Sequence, residues 1–286
     1  MTAFAMTETS KTLTFRELEI GPWRVIISAR FATAFERLAR RVECQRQLDL
    51  SVLGTPQCAA TGRSHNLVID LPEMPEQLHL RPLNHGGLFA RVTEDRFANL
   101  KRPLAELKVN ASLFQRGAPV AEPACVIARR NGLFWHAAFA TVHLENSSDG
   151  VSFLNAAPDP QSLERAARSA GSAIRSIHDF GCKHRDLHIK NLMVEDAQNI
   201  TRTTVVDLDR ATLVATVSAS RRMYELMRLR RSLRKRSLAA ALSPDVASAF
   251  MDAYTRGDSR VRSRLQVHYR RERLRNRAHA WLYPEL

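Results

Sequence analysis

The chain has 286 residues, 44% hydrophobic and 25% charged, which supplies a real core for one large or bilobal domain and excludes a disordered polymer. No apolar run reaches the roughly 18 residues of a spanning helix, and no basic start followed by an apolar stretch marks a secretory signal. The formal charge of +14 calls for anionic partners, while Cys44, Cys58, Cys125 and Cys182 lie scattered with no CxxC pair, against a metal centre or disulfide framework and in keeping with a reducing cytoplasm.

Residues 1–20 carry no clear pattern. From Ile27 to Leu48, Phe31, Phe35, Leu38 and Val42 recur at helical spacing between arginines, an amphipathic helix expected to pack on the domain. Residues 1–48 are set apart as an N-terminal extension. Short strands are expected at Asn66–Asp70, Leu78–Arg81 and Gly87–Val92. Lys101 to Arg116 reads as a helix that Gly117 stops, and Gly117–Pro123 as an extended connector. Val126–Arg129 and Leu133–Phe139 form a hairpin around Asn131-Gly132, a turn-forming pair. The composition turns to Ser, Asp, Asn, Gly and Pro from Ser147 to Pro160, which places a lobe boundary there. A helix follows over Pro160–Asp179, with Leu163, Ala166, Ala170, Ala173, Ile174 and Ile177 on its core face. Everything after Ala211 reads as helical and basic. Ser218–Arg236 holds eight basic residues and one acid, Glu225; Arg256–Arg277 holds nine and two. Such stretches are either solvated helix faces or a surface drawn to anionic lipid. The fold expected is α+β and bilobal, protein-kinase-like, with a strand-rich N-lobe over 49–145 and a mostly helical C-lobe over 146–286.

The chemistry is concentrated in His184-Arg-Asp-Leu-His-Ile-Lys-Asn-Leu-Met-Val194 and Thr204-Val-Val-Asp-Leu-Asp-Arg210. Asn191 stands five positions after Asp186, and Asp207 lies 21 residues after it at the end of an apolar strand. This is the pattern of a kinase-like catalytic loop followed by a metal-binding aspartate. Phosphoryl transfer needs an acceptor hydroxyl held in line and a group to take its proton, which a carboxylate on a tight loop provides. An amide oxygen and a second carboxylate suit a hard cation that keeps phosphates among its ligands. Asp186 is therefore the catalytic candidate, Asn191 and Asp207 are the Mg²⁺ candidates, and ATP is the donor. His184 would brace the loop, and His188 would pair with Asp186 or satisfy a local hydrogen bond.

For the nucleotide, a glycine-rich turn, a basic strand residue and a helical glutamate are expected in that order. Gly62, Arg63 and Ser64 form a poor glycine-rich loop before the Asn66 strand. Arg81, on a strand 25 residues before Glu106, is the candidate cation, with Arg102 as competitor. Glu106 is its candidate partner or a solvated surface acid.

These stretches resemble the lipopolysaccharide core kinases, above all those acting on 3-deoxy-D-manno-octulosonic acid (Kdo). The resemblance is carried by Leu80-Arg-Pro-Leu-Asn-His-Gly-Gly-Leu88, by Arg102-Pro-Leu-Ala-Glu106 with Gly117–Pro123, by His184–Val194 with Val206–Arg210, and by Leu229-Arg-Arg-Ser-Leu-Arg-Lys235. It departs at Leu83-Asn84-His85, where the family has Tyr-Arg-Arg, and at Leu208 in place of Phe. It implies an ATP- and Mg²⁺-dependent kinase acting on an inner-core sugar of a lipid A precursor, peripheral at an anionic membrane surface on the cytoplasmic face of the inner membrane. A heptose acceptor, an aminoglycoside- or choline-type alcohol kinase and a nucleotide-binding pseudokinase are the alternatives. No nucleic-acid partner is expected, because the basic stretches contain few interleaved aromatics and no recognisable module.

Overall fold

The computed structural model describes residues 13–43, 55–57, 66–83, 97–198, 200–238 and 243–282. The chain divides into two compact units, one of residues 1–117 and 121–144, the other of 118–120 and 145–286.

The first unit is built on an antiparallel sheet. Its strands are β1 (Phe15–Ile20), β2 (Trp23–Ser28), β3 (Thr55–Gln57), β4 (Asn66–Asp70), β5 (Gln77–Pro82), β6 (Pro123–Asn131) and β7 (Phe134–Val142), in the order β1-β2-β6-β7-β5-β4-β3. Residues 13–43 are thus integral to this unit rather than an extension beside it. The β1–β2 hairpin turns at Gly21-Pro22 with Gly21 at φ 52, and it escaped the sequence reading because β1 lacks a clean alternation. The amphipathic helix, α1 (Ala29–Glu43), starts two residues later than expected, since Ile27 belongs to β2.

Period-two alternation sorts the sheet into two buried faces. Ile127, Cys125, Ala138, Ala140, Leu78 and Leu80 pack with Phe31 and Phe35 of α1. The intervening Val126, Ala128, Ala137 and Phe139 pack instead with Leu107 of α2 (Lys101–Gln115). Burial on both sides explains why β6 reads as a continuous apolar run. It also decides where Arg81 points: with Leu78 and Leu80 facing α1, Arg81 lies opposite Phe139 on the α2 face.

In the second unit β8 (Ser147–Asp149), β10 (Leu192–Ala197) and β11 (Ile200–Val205) form a small sheet. The short α3 (Gly150–Asn155) and the long α4 (Pro160–Asp179) follow β8. Asp159 caps α4, accepting from the N–H of Gln161 at 2.9 Å and of Ser162 at 3.0 Å, with Pro160 at the first helical position where its missing N–H costs nothing. The small-residue face of α4 lets α6 (Pro244–Thr255) approach: a Cβ on Gly171 would lie 2.4 Å from the Phe250 carbonyl oxygen. α5 (Ala219–Arg234) and α7 (Ser259–Leu282) complete the unit, and β9 (Cys182–Lys183) pairs with β12 (Thr212–Leu213). Part of the expected connector, Ala118–Val120, belongs here, because Val205 donates its N–H to Pro119 at 2.8 Å beside β11.

Candidate active site

The catalytic-loop segment leaves α4 through Gly181, at φ 82, where a Cβ would strike the Val214 carbonyl at 1.9 Å. Only glycine makes this turn. β10 and β11 then form a hairpin whose register pairs Leu192 with Val205. Its open end sets Asn191 beside Val206, whose N–H reaches the Asn191 carbonyl at 2.9 Å, and Asp207 comes next in the chain. The two flanks of one hairpin are thereby aligned.

Asn191 is buried, and its Nδ2 donates to the Asp186 carbonyl at 3.0 Å, which leaves Oδ1 as the acceptor of its amide. His184 is fully buried and its Nε2 lies 3.2 Å from the Val206 carbonyl, so it ties the loop to the strand leading into Asp207. Asp207 stands at φ 60, a left-handed position that aspartate tolerates better than most residues. His188 lies within the electrostatic reach of both Asp186 and Asp207: burial lowers its pKa, and the two carboxylates pull against that. Its Nδ1 is buried without a hydrogen-bond partner among the described residues, so neither pairing expected for it forms through that atom.

Behind the loop stands a buried relay that the sequence reading missed. Glu225 of α5 is completely buried and accepts the backbone N–H of His184 and of Arg185, each at 3.1 Å. Arg185 is at φ 65, so Glu225 holds a backbone conformation that would otherwise be costly. His178 Nε2 lies 3.1 Å from Glu225, and its Nδ1 lies 2.7 Å from the Tyr254 hydroxyl. Burial opposes the charge on Glu225, but the bond from His178, the Arg185 N–H and the Arg221 guanidinium outweigh it and hold the carboxyl below the usual carboxylate range. Burial drives His178 the other way, below its ordinary value, to the neutral form. The neutral ring donates from Nε2 to Glu225 and accepts at Nδ1 from Tyr254, whose hydroxyl burial pushes up to about 12. In sequence Glu225 was visible only as the single acid among eight basic residues.

Two further α5 residues meet the loop. Ser232 Oγ accepts the Ile189 N–H at 2.9 Å and donates to the Leu229 carbonyl at 2.7 Å. Arg228 is ion-paired with Asp186. Much of the charge of this helix is therefore spent inside the unit, since Arg221, Arg222 and Arg230 also find partners there. That differs from a wholly solvated face.

In the first unit Arg81 Nη2 and Glu106 Oε1 meet at 2.6 Å. Glu106 is only 1% exposed, so it is no surface acid. The competitor Arg102 places its guanidinium 5.7 Å from the centre of the Phe97 ring. Gly62, Arg63 and Ser64, and the expected strand at Gly87–Val92, lie outside the described residues.

No cluster of three or more His, Cys, Asp or Glu suited to a metal occurs among the described residues. One carboxylate and one amide oxygen, from Asp207 and Asn191, still match Mg²⁺, which usually takes one or two protein carboxylates and completes its shell with phosphates and water.

A family model described as the lipopolysaccharide kinase (Kdo/WaaP) family matches residues 48–254. The chain belongs to that family. The matched Kdo/WaaP segment contains every residue of the site described above, and its last residue is Tyr254 of the buried relay. Among curated relatives, the 3-deoxy-D-manno-octulosonic acid kinase of Vibrio parahaemolyticus is 27% identical over 156 residues, covering 53% of this chain and 62% of that protein. The same-named kinase of Vibrio cholerae is 28% identical over 181 residues, covering 62% of this chain and 73% of that protein. The match thus spans less than two thirds of the first relative's length. A solved structure, WaaP in complex with acyl carrier protein, superposes with a TM-score of 0.56 at 17% identity over 94% of this chain and 99% of that one. The fold is therefore the protein-kinase-like fold of WaaP.

Proposed function

We propose that the chain is a kinase that moves the γ-phosphoryl group of ATP to a sugar hydroxyl of the lipopolysaccharide inner core, the acceptor being Kdo on a lipid A precursor. The observation that carries this is the joint placement of Asp186 on a braced loop and of Asn191 and Asp207 at one hairpin end, within a chain of the Kdo/WaaP family. The acceptor oxygen bonds to the γ-phosphorus, the bridging P–O bond to ADP breaks, and the hydroxyl proton leaves toward Asp186. Asn191 and Asp207 hold Mg²⁺, which when bound neutralises phosphate charge. Arg81, fixed by Glu106, is the cation we assign to the α- and β-phosphates; an arginine can contact two phosphate oxygens at once.

Two features support a lipid-linked acceptor at a membrane. No helix among the described residues is long and apolar enough to cross a membrane, yet Arg234, Lys235, Arg260, Arg264, Arg270 and Arg271 are exposed for contact with an anionic surface. The second unit also holds a cavity of about 730 Å³ lined by Phe153, Leu163, Ala166, Leu226 and Leu265, with Arg230 and Arg234 among its polar members. Ile189 and Leu192 of the catalytic-loop segment line it too. An acyl chain with an anionic head suits that combination.

The test is ADP release with Mg²⁺ and ATP, with and without a Kdo-bearing lipid A precursor. Release that depends on this acceptor, with phosphate recovered on the Kdo, is the expected result. Release with heptose-bearing core or a soluble alcohol alone moves the acceptor class; nucleotide binding without any release overturns the kinase reading.

A further inference from the structure

Arg228, Ser232 and Arg236 stand at intervals of four residues, along one side of α5 and just beyond its end. Ser232 secures the Ile189 N–H, and Arg236 donates to the Ser232 carbonyl at 3.0 Å. Arg228, by contrast, has its guanidinium Nη2 paired with Asp186 Oδ1, and among the described residues Asp186 is the acid it pairs with. Neither side chain is sealed off, with 36% of Arg228 and 28% of Asp186 exposed.

The position of Arg228 beside the loop carboxylate suits an anionic acceptor. A second carboxylate brought beside Asp186 would be repelled unless a cation stood with it. A guanidinium is always charged and carries five N–H donors in a planar fork, so it can serve Asp186 with one edge and another carboxylate with the rest.

Building on the reading of the chain as a kinase for an acidic sugar, we propose that Arg228 is the specificity-determining residue that receives the sugar's carboxylate. The acceptor is then held at two points. Its hydroxyl donates to Asp186 and its carboxylate accepts from Arg228, and the two side chains are locked together by their own ion pair. Two-point holding fixes the hydroxyl in line with the γ-phosphorus, which is where binding energy assists transfer. Lysine is no equal substitute, because a single ammonium does not serve two carboxylates in one plane.

The experiment uses the full chain and two acceptors, each varied at saturating ATP and with ATP varied in a separate series: the Kdo-bearing lipid A precursor, and the same lipid with the Kdo carboxyl converted to its amide. The wild-type protein is expected to prefer the acid by roughly 10- to 150-fold in kcat/KM, the span of charge-assisted hydrogen bonds. In Arg228→Gln the acid should fall to about the level of the amide, with KM for ATP unchanged. Arg228→Lys should lie between them. Should wild type use both acceptors equally, or should Arg228→Gln lose equally on both with the preference intact, the inference is overturned and Arg228 acts on Asp186 or on the donor. If Arg228→Gln does not fold, the same comparison in Arg228→Lys decides the matter, a preference as large as wild type overturning the inference. If wild type phosphorylates neither acceptor while still binding ATP, the underlying functional reading fails instead.

Discussion

Glu225 accepts the backbone N–H of His184 at 3.1 Å from a side chain that is completely buried, and its other oxygen takes the N–H of Arg185 at the same distance. A helix far along the chain thus fixes the backbone immediately before Asp186. Glu225→Ala is expected to strand these donors and the buried His178, at about 3–5 kcal/mol of stability, the scale for breaking a buried pair. Glu225→Gln keeps the shape but leaves only one oxygen for donors that now use two. Its turnover should fall at least about tenfold, as expected for a loss of roughly 1.5 kcal/mol or more of charge-assisted bonding, with a smaller change in melting temperature. Unchanged turnover in the glutamine variant would remove Glu225 from loop positioning.

Asp186 and Asp207 should separate by role. Asp186→Ala is expected to keep ATP binding and lose about 10²–10⁴-fold in turnover, the usual contribution of a proton-accepting group. Asp207→Ala should abolish metal-dependent turnover and the Mg²⁺ dependence of nucleotide binding. Calorimetric titration of ATP with and without Mg²⁺ distinguishes the two; an Asp186 variant that turns over normally on its acceptor is incompatible with the assignment.

For the Arg81–Glu106 pair at 2.6 Å, Arg81→Ala should raise KM for ATP roughly 10- to 150-fold while leaving KM for the acceptor within about twofold. Glu106→Ala should shift the same constant less, because the cation remains in place. Arg81→Lys should not restore full ATP use, since an ammonium lacks the planar fork. An ATP defect confined to Arg102→Ala would transfer the role to that residue.

Stability should fall on mild acidification through His178. Its pKa in the folded protein lies below the ordinary 6.5, so the unfolded chain binds the proton more readily. The contribution of the neutral ring is complete above about pH 6.5 and is lost below it, by up to about 1.4 kcal/mol per pH unit. Glu225 adds a further loss at lower pH: its carboxyl is held below an ordinary 4.5, so its contribution is present above that value and drains away as pH falls below it. Thermal melts at pH 7.5, 6.5 and 5.5 should show the decline, and His178→Gln should melt lower at pH 7.5 but flatten the slope between 6.5 and 5.5. An equal slope in that variant would place the titrating group elsewhere.

Local order was legible where the local pattern was clean. β4, α4 and the Asn131-Gly132 hairpin follow from alternation, helical spacing and turn chemistry, each a short-range constraint. The Asp186, Asn191 and Asp207 pattern was readable for the same reason: one hairpin and its flanks carry it. Arg81 and Glu106 were readable as candidates by spacing, but their meeting depends on which face of β5 each residue occupies, and that is settled by the packing of Leu78 and Leu80 against α1. The β1–β2 hairpin is local too, but β1 lacks a clean alternation and buries only Ile20. The relay of Tyr254, His178 and Glu225 left no trace at all: its bonds join residues 76 and 47 positions apart, and what makes Glu225 more than a minority charge in a basic helix is its complete burial against two backbone N–H groups. Sequence by itself determined which residue types the chemistry uses and the short elements that carry them. Only the tertiary structure decided which acid is buried, which arginine pairs with Asp186 and which groups hold the loop, because burial and long-range pairing are set by packing between elements rather than by neighbours along the chain.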